Sequence, residues 1–430
     1  MFATPLRDLF STTSVRLRDG LAGPTVLVGA LGGLVGAAYV AALHGLEHVL
    51  GPEHHGAWTQ AAILTAVGVA VAVITRLGGE TGNVELLVDN IHVLGGAESA
   101  RGLRSLVPSS LLCVAAGAAM GPEAPLVQTT GTLGTSVATR AGRSAADVRV
   151  LTITGMAAGF TVLFGAPLGA AFFALEILHR RGLQYYEALV PALVGSLCGY
   201  VVFLGLSGLG IEPIWQFADF GPLGLDDLAV AALVGVAGVV VAVAFTATVG
   251  LLRRLLAPVP TSLRYVLGGV ALGALGLWSP YALTFGETQL ESLLDARVAV
   301  GVLAVAALAK FAGTTVTLAA GWKGGFIIPL FFIGATLGQL AHAFVPSIDG
   351  TVLTACAMVA ICVAVTKTPV GTTLVVTEIA GLSLLPVTLI AAVVAVVLSA
   401  RVNLIETQRS RGPLVGTRAG DAGAGSDQED

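Results

Sequence analysis

The sequence predicts an all-α integral membrane protein assembled from two copies of one pattern, with several helices that begin partway through the bilayer. Composition is the first reason. Of the 430 residues, 55% are hydrophobic and 11% charged, and the mean hydropathy is +0.88, whereas a soluble domain carries about 25% charged residues. Long apolar spans are the second reason. They run near 24–43, 59–76, 103–120, 185–206, 227–252, 264–278, 297–318, 351–366 and 385–400, each long enough to cross or nearly cross a bilayer. The third reason is a duplication about two hundred residues apart. Gly121 to Gly134 and Gly325 to Gly338 both read G-x3-P-L-x5-T-L-G.

The order of the chain follows from these signals. Residues 1–22 form a polar N-terminal segment, with Arg7, Arg16 and Arg18 ahead of the first span; Arg401, Arg409 and Arg411 follow the last one. The positive-inside tendency therefore places both termini in the cytoplasm. The polar opening lacks a continuous apolar core, so no cleavable signal peptide is expected. Residues 23–206 read as a first membrane repeat and 207–401 as a second. Residues 402–430, rich in Gly, Asp and Ser, read as a largely disordered cytoplasmic tail with no regulatory domain after it. Shorter apolar pieces lie between the spans at 83–95, 123–138, 166–178, 324–342 and 369–380. The duplication reaches them too: Pro167-Leu168-Gly169 leads to Glu176-Ile177 as Pro369-Val370-Gly371 leads to Glu378-Ile379, and Val150-Leu151-Thr152 with Met156 answers Val352-Leu353-Thr354 with Met358. Gly/Pro-broken apolar segments at matching places in two halves are a sequence pointer to a transport site at the repeat interface.

Such breaks suit an anion. A helix that starts inside the membrane presents unpaired N–H groups and the positive end of its dipole, which attract an anion without placing a full positive charge in lipid. Gly121 and Gly325 leave the backbone open to a ligand, and a proline such as Pro122 fits a helix start because no donor is lost there. A cation path would show several carboxylates facing one cavity. Here the acids at membrane depth are few and far apart.

At this point the residues resemble a family. Gly-Pro-Glu-Ala-Pro-Leu-Val-Gln at 121–128, Gly-Ala-Pro-Leu-Gly-Ala-Ala-Phe-Phe-Ala-Leu-Glu at 165–176, Lys310 in Ala-Lys-Phe-Ala-Gly-Thr-Thr, and Gly-Gly-Phe-Ile-Ile-Pro at 324–329 resemble the CLC family of chloride channels and proton/chloride exchangers, over nearly the whole membrane region. The resemblance implies a CLC-type inverted-repeat helical bundle, a homodimer with one pore per subunit, and chloride held at helix N-termini. Glu123 matches the gating glutamate, whose carboxylate occupies an anion site and leaves it on protonation. A carboxylate is itself an anion and competes with chloride for the same N–H groups, although an acid at a helix start is also an ordinary cap. Phe326 and Ile327 match the pair whose backbone N–H groups contact the central chloride.

The sequence departs from the family at three points. Where the family has G-S-G-I-P, this chain reads Glu80-Thr81-Gly82-Asn83-Val84, so Thr81 would supply the hydroxyl donor. The tyrosine at the inner side of the central site corresponds to Ile405, which has no hydroxyl; losing one neutral hydrogen bond would weaken the site by about 0.5–1.5 kcal/mol. Bacterial exchangers carry two adjacent acids at the inner proton entry, the second being the proton carrier. This chain has Glu176-Ile177, and isoleucine relays no proton. Glu176 is then either an alternative step on a proton path or a contact at the helix end with Arg180, four residues on. Glu378 reads as structural.

The expected function is transmembrane transport of chloride and other small monovalent anions through a path gated by Glu123, channel-like or weakly proton-coupled. The alternative is a proton/chloride antiporter in the cell membrane. A remote alternative, an intramembrane zinc metallopeptidase, rests on His44-Gly45-Leu46-Glu47-His48, an H-x-x-E-H pattern without an obvious third ligand. His54 and His55 fall in a loop. Lys310 could draw anions into a mouth or snorkel to the interface. Cys113, Cys198, Cys356 and Cys362 lie in apolar segments without metal-ligand spacing and read as small hydrophobes. No cofactor, metal, enzymatic constellation or nucleic-acid patch is expected.

Overall fold

The computed structural model describes residues 20–79, 84–97, 99–180, 183–208, 214–294, 298–402, 404–405 and 407–408. Thr81 and the tail beyond Gln408 lie outside the described residues. Among the described residues the fold comprises sixteen α-helices. The first half contains α1 (Ala22–Leu50), α2 (Ala57–Gly78), α3 (Val84–Val93), α4 (Leu103–Ala115), α5 (Glu123–Arg140), α6 (Ala145–Phe164), α7 (Pro167–Glu176) and α8 (Leu189–Ser207). The second half contains α9 (Leu225–Leu256), α10 (Thr261–Trp278), α11 (Glu287–Leu293), α12 (Val300–Ala320), α13 (Ile327–Phe344), α14 (Gly350–Thr366), α15 (Pro369–Ala380) and α16 (Leu385–Leu398). Among the described residues seven helical segments are long and apolar enough to cross a membrane. The chain is a multi-pass integral membrane protein.

Packing repeats between the halves. The pairs α5/α6, α6/α7, α6/α8 and α1/α8 have counterparts in α13/α14, α14/α15, α14/α16 and α9/α16, while α2/α10 and α7/α15 join one half to the other. The repeated T-L-G has a packing reason. A methyl on Gly134 would lie 2.8 Å from the carbonyl carbon of Leu151, and one on Gly338 would lie 2.8 Å from that of Leu353. At both places two helix backbones touch, which only glycine permits. In lipid such close contact of small residues is a main source of helix association.

The helix breaks repeat as well. After α4 the chain turns at Gly117 with φ +87°, and after α12 at Gly321 with φ +81°; each left-handed glycine precedes by four residues a glycine that begins the next motif. The span expected over 103–120 therefore ends at Ala115, and the rest is the approach to the site. The α6 helix closes on Gly165 at φ +61°, but the matching terminus of α14 is Lys367 at φ +63°. A non-glycine residue in that conformation carries strain of about 1–3 kcal/mol. Here its Nζ offsets the strain by donating to Ala364 O at 2.5 Å and to Ser399 O and Oγ at 2.7 Å each.

Immediately after these termini, Pro167 and Pro369 open α7 and α15, and each helix caps the other. Glu176, the last residue of α7, accepts from Val370 N at 3.2 Å and Gly371 N at 2.8 Å. Glu378 accepts from Leu168 N at 3.2 Å and Gly169 N at 2.7 Å. This reciprocity is what a two-fold relation between the halves produces, and it satisfies first-turn N–H groups that water would serve in a soluble protein.

One long helix lies outside the spans read from sequence. Helix α6 opens on Ser144-Ala145-Ala146-Asp147 and carries Arg149, Thr152, Thr154, Gly155, Gly159 and Thr161, which dilute its hydropathy. The helix nevertheless sits in the protein interior, with all residues from Arg149 to Phe164 buried. Its polar residues face protein and not lipid. Its start is fixed by the Ser144 side chain accepting from Asp147 N.

The Lys367 terminus gives a discriminating test. Lys367→Ala removes the Nζ bonds and keeps the left-handed strain, whereas Lys367→Gly removes the same bonds and relieves the strain. The glycine variant should be the more stable of the two by about 1 kcal/mol. Thermal unfolding in detergent measures the difference, and equal midpoints would show that the backbone at this terminus is unstrained.

Candidate functional site

The site begins with the two glycines of the duplicated motif. Gly121 N donates to Gly325 O at 2.8 Å and Gly325 N donates to Gly121 O at 2.6 Å, an isolated antiparallel bridge between the halves. Its effect is to set the N-terminus of α5, capped by Pro122, against that of α13, capped by Phe326. A methyl on either glycine would run into the Glu123 carboxylate. The glycines are there so that the side chain can lie across the bridge.

Glu123 is fully buried. Its Oε1 accepts from Ile328 N, in the first turn of α13, at 2.6 Å. Its Oε2 is buried without a hydrogen-bond partner. The side chain therefore crosses from one half to a helix N-terminus of the other and places an anionic group on donors available to any anion. Sequence reasoning named Phe326 and Ile327 as donors; Ile328, one residue further, was not singled out. The signal was present, because every residue in the first turn has an N–H without an intrahelical partner.

Two cavities are lined by the chain neighbours of Glu123. One, of about 180 Å³, is lined by Ala124, Gln128, Ile177, Phe326, Ile327 and Ile405 among others, with Arg253 and Lys323 as its cationic groups. The other, of about 270 Å³, is lined by His44, Pro122, Tyr200, Phe285 and Glu287 among others. Pro122 lines the second cavity and Ala124 the first, so the chain passes from one to the other at Glu123. Phe160 lines the first and Leu163, one turn along α6, lines the second.

The remaining candidates separate cleanly. Gly121, Pro122, Gly325, Phe326, Ile327 and Ile405 assemble around Glu123 or the cavities beside it. Ile405 is 3% exposed and lines the first cavity; the neighbouring segment is fastened by Gln408 Nε2, which donates to Ile177 O at 3.0 Å and Thr366 O at 2.7 Å. Glu176 does not pair with Arg180. It holds the two α15 N–H groups, and Arg180 Nη2 reaches Ala400 O at 3.5 Å. Lys310 neither snorkels nor faces a mouth: it is fully buried, donates to Leu283 O at 2.6 Å, Thr284 O at 2.7 Å and Gln289 Oε1 at 3.0 Å, and lies 4.7 Å from the Phe332 ring centroid. It ties α12 to the approach to α11, whose first residue is the cavity-lining Glu287. The H-x-x-E-H residues do not converge. His44 lines the second cavity, His48 packs edge-on against His54 at 4.6 Å, and His55 bonds Val49 O at 2.8 Å. Among the described residues no group of three His, Cys, Asp or Glu side chains is placed to hold a metal ion.

Known proteins share this architecture. A chloride/fluoride channel protein of Pseudomonas syringae pv. tomato is 27% identical over 401 residues, covering 89% of this chain and 85% of its own length. Among solved structures, a CLC-type fluoride/proton antiporter superposes with a TM-score of 0.77 at 21% identity, over 91% of this chain and 98% of its own. A slow cyanobacterial Cl-/H+ antiporter gives 0.74 at 21% identity, over 87% and 94%. The voltage gated chloride channel family matches residues 96–400. With that match over most of its length, and with two halves meeting head to head at a buried glutamate, the chain belongs to the voltage gated chloride channel (CLC) family.

Proposed function

We propose that this chain carries chloride and other small monovalent anions through a path gated by Glu123, channel-like or weakly coupled to protons. The observation that carries the reading is the Glu123 carboxylate on the Ile328 N–H, with its chain neighbours Pro122 and Ala124 lining two different cavities. In that position the carboxylate closes the path by occupying the anion's seat. Protonation removes the charge that holds it there. The Ile405 cavity is the cytoplasmic one in this reading, since it borders the C-terminal segment and Arg253. Arg253 and Lys323 raise the local anion concentration without occupying the seat. Thr81 is proposed as a further hydroxyl donor of the inner site, on the resemblance alone.

A second reading, a proton/anion antiporter, takes its support from the titles of the two similar structures, whose likeness establishes fold. Two features favour weak coupling. Ile177 lines the inner cavity where an internal proton carrier would stand, and no carboxylate is among that cavity's described lining residues. Glu176 is committed to two backbone donors. Chloride is the favoured cargo, and fluoride enters as a candidate through the name of the Pseudomonas relative. A homodimer fits the apolar faces of α8 and α16, on which Leu197, Val201, Val393 and Val397 are exposed.

Four expectations test the reading. Glu123→Gln should leave anion flux into liposomes intact and flatten its pH dependence between about pH 4.5 and 7.5, a range that starts at the ordinary glutamate pKa. A profile as steep as the wild type's would remove Glu123 from the gate. Under a chloride gradient, sealed vesicles should show little stoichiometric proton counter-movement, and Ile177→Glu should increase it. Glu176→Gln should lower thermal stability by about 1 kcal/mol through the weakened cap while leaving the proton-to-anion ratio unchanged; a fixed ratio that collapses in this variant would restore Glu176 to the proton path. Mass measurement in detergent should give twice the chain mass, and monomer at every concentration would exclude the dimer.

A further inference from the structure

Helix α5 carries a second group aimed at the anion path, five residues beyond the gate. Gln128 is 7% exposed and lines the Ile405 cavity with Ala124 and Pro125. Its Oε1 is sealed from solvent without a hydrogen-bond partner. Buried carboxamides are ordinarily satisfied by protein or by ordered water, so an unpartnered one on a cavity wall points to an occupant of that cavity. The surroundings define the occupant's sign. The wall opposite is the N-terminal turn of α13, whose dipole presents positive potential, and the charged residues lining the cavity are Arg253 and Lys323. The remaining wall is largely apolar, with Phe160, Ile177, Leu404 and Ile405. An anion entering this space sheds water and finds few donors. Ile405 offers none. A carboxamide can present either its N–H2 or its carbonyl by turning about its last torsion, and the N–H2 edge supplies the missing donor.

We infer that Gln128 is a side-chain ligand of the transported anion in the inner cavity, donating through its amide N–H2; this rests on the anion-path reading above. The cavity volume of about 180 Å³ accommodates a chloride or bromide ion with a few waters, a water's share being about 30 Å³. Gln128 then does for this chain what a hydroxyl at position 405 would do. It also places a ligand on the same helix as the gate, five residues along from Glu123.

The test uses the full-length purified protein with chloride and bromide as probes. Titration calorimetry gives the chloride affinity of the wild type and of Gln128→Met, which keeps the length and removes both polar atoms. The expected loss is about tenfold, the value of one hydrogen bond to a charged group. Crystals grown in bromide should show anomalous density beside the Gln128 carboxamide. Gln128→Glu keeps the shape of the side chain and guards against misfolding: it should lose bromide at this position at neutral pH through like-charge repulsion, with the Glu123 geometry unchanged. Unchanged chloride affinity in Gln128→Met, or bromide seated in the inner cavity away from residue 128, overturns the assignment and leaves the anion path standing. A wild type that neither binds nor carries chloride, bromide or fluoride overturns the path and the ligand together.

Discussion

The Gly121–Gly325 bridge is the constraint on which the rest of the structure depends. Backbone inside a bilayer must satisfy its own polar groups, and a chain that stops being helical halfway across has N–H and C=O groups to place. Two strand-like approaches, one from each half, settle this by pairing with each other. Because the pairing consumes the groups of the glycines and not those of the following turns, the first N–H groups of α5 and α13 are left facing one small space. A single helix break in lipid would be costly. Two breaks meeting at a pseudo-two-fold axis become a site.

The same economy accounts for much of what the sequence disclosed. Duplication, left-handed glycines and proline-led helices are local requirements, so they leave local marks: G-x3-P-L-x5-T-L-G encodes the bridge glycine and, thirteen residues later, the glycine at which α5 meets α6 and α13 meets α14. Glu123 was legible because its place in the motif is chemically specific. What the sequence did not disclose is tertiary. Helix α6 escaped a search for apolar spans because a helix surrounded by protein on all sides can afford threonine, glycine and arginine. Lys310 gave no clue to its partners, since the carbonyls of Leu283 and Thr284 and the Gln289 side chain converge on it from twenty-odd residues away. Gln128 lies inside the motif, and only the tertiary fold places a cavity in front of it.

Three glutamates reach helix starts of the opposite half, and their hydrogen bonds separate them. Glu176 and Glu378 each hold two N–H groups, one per carboxylate oxygen, at the start of a helix from the opposite half. Both oxygens are engaged, and a proton on either would remove an acceptor from a buried donor. Such a side chain is fixed by what it leaves behind if it moves. Glu123 is held through one oxygen while the other has no partner. In the proposed reading a departing Glu123 abandons little, and the N–H it vacates becomes available to an anion. The same kind of acid is a fixed cap where each carboxylate oxygen holds a donor, and in the proposed reading the more loosely held Glu123 is the gate. This also argues that proton coupling, where a member of this family has it, needs a carboxylate additional to the caps. Ile177 stands beside a cap and lines the cavity, where its apolar side chain offers no titratable group.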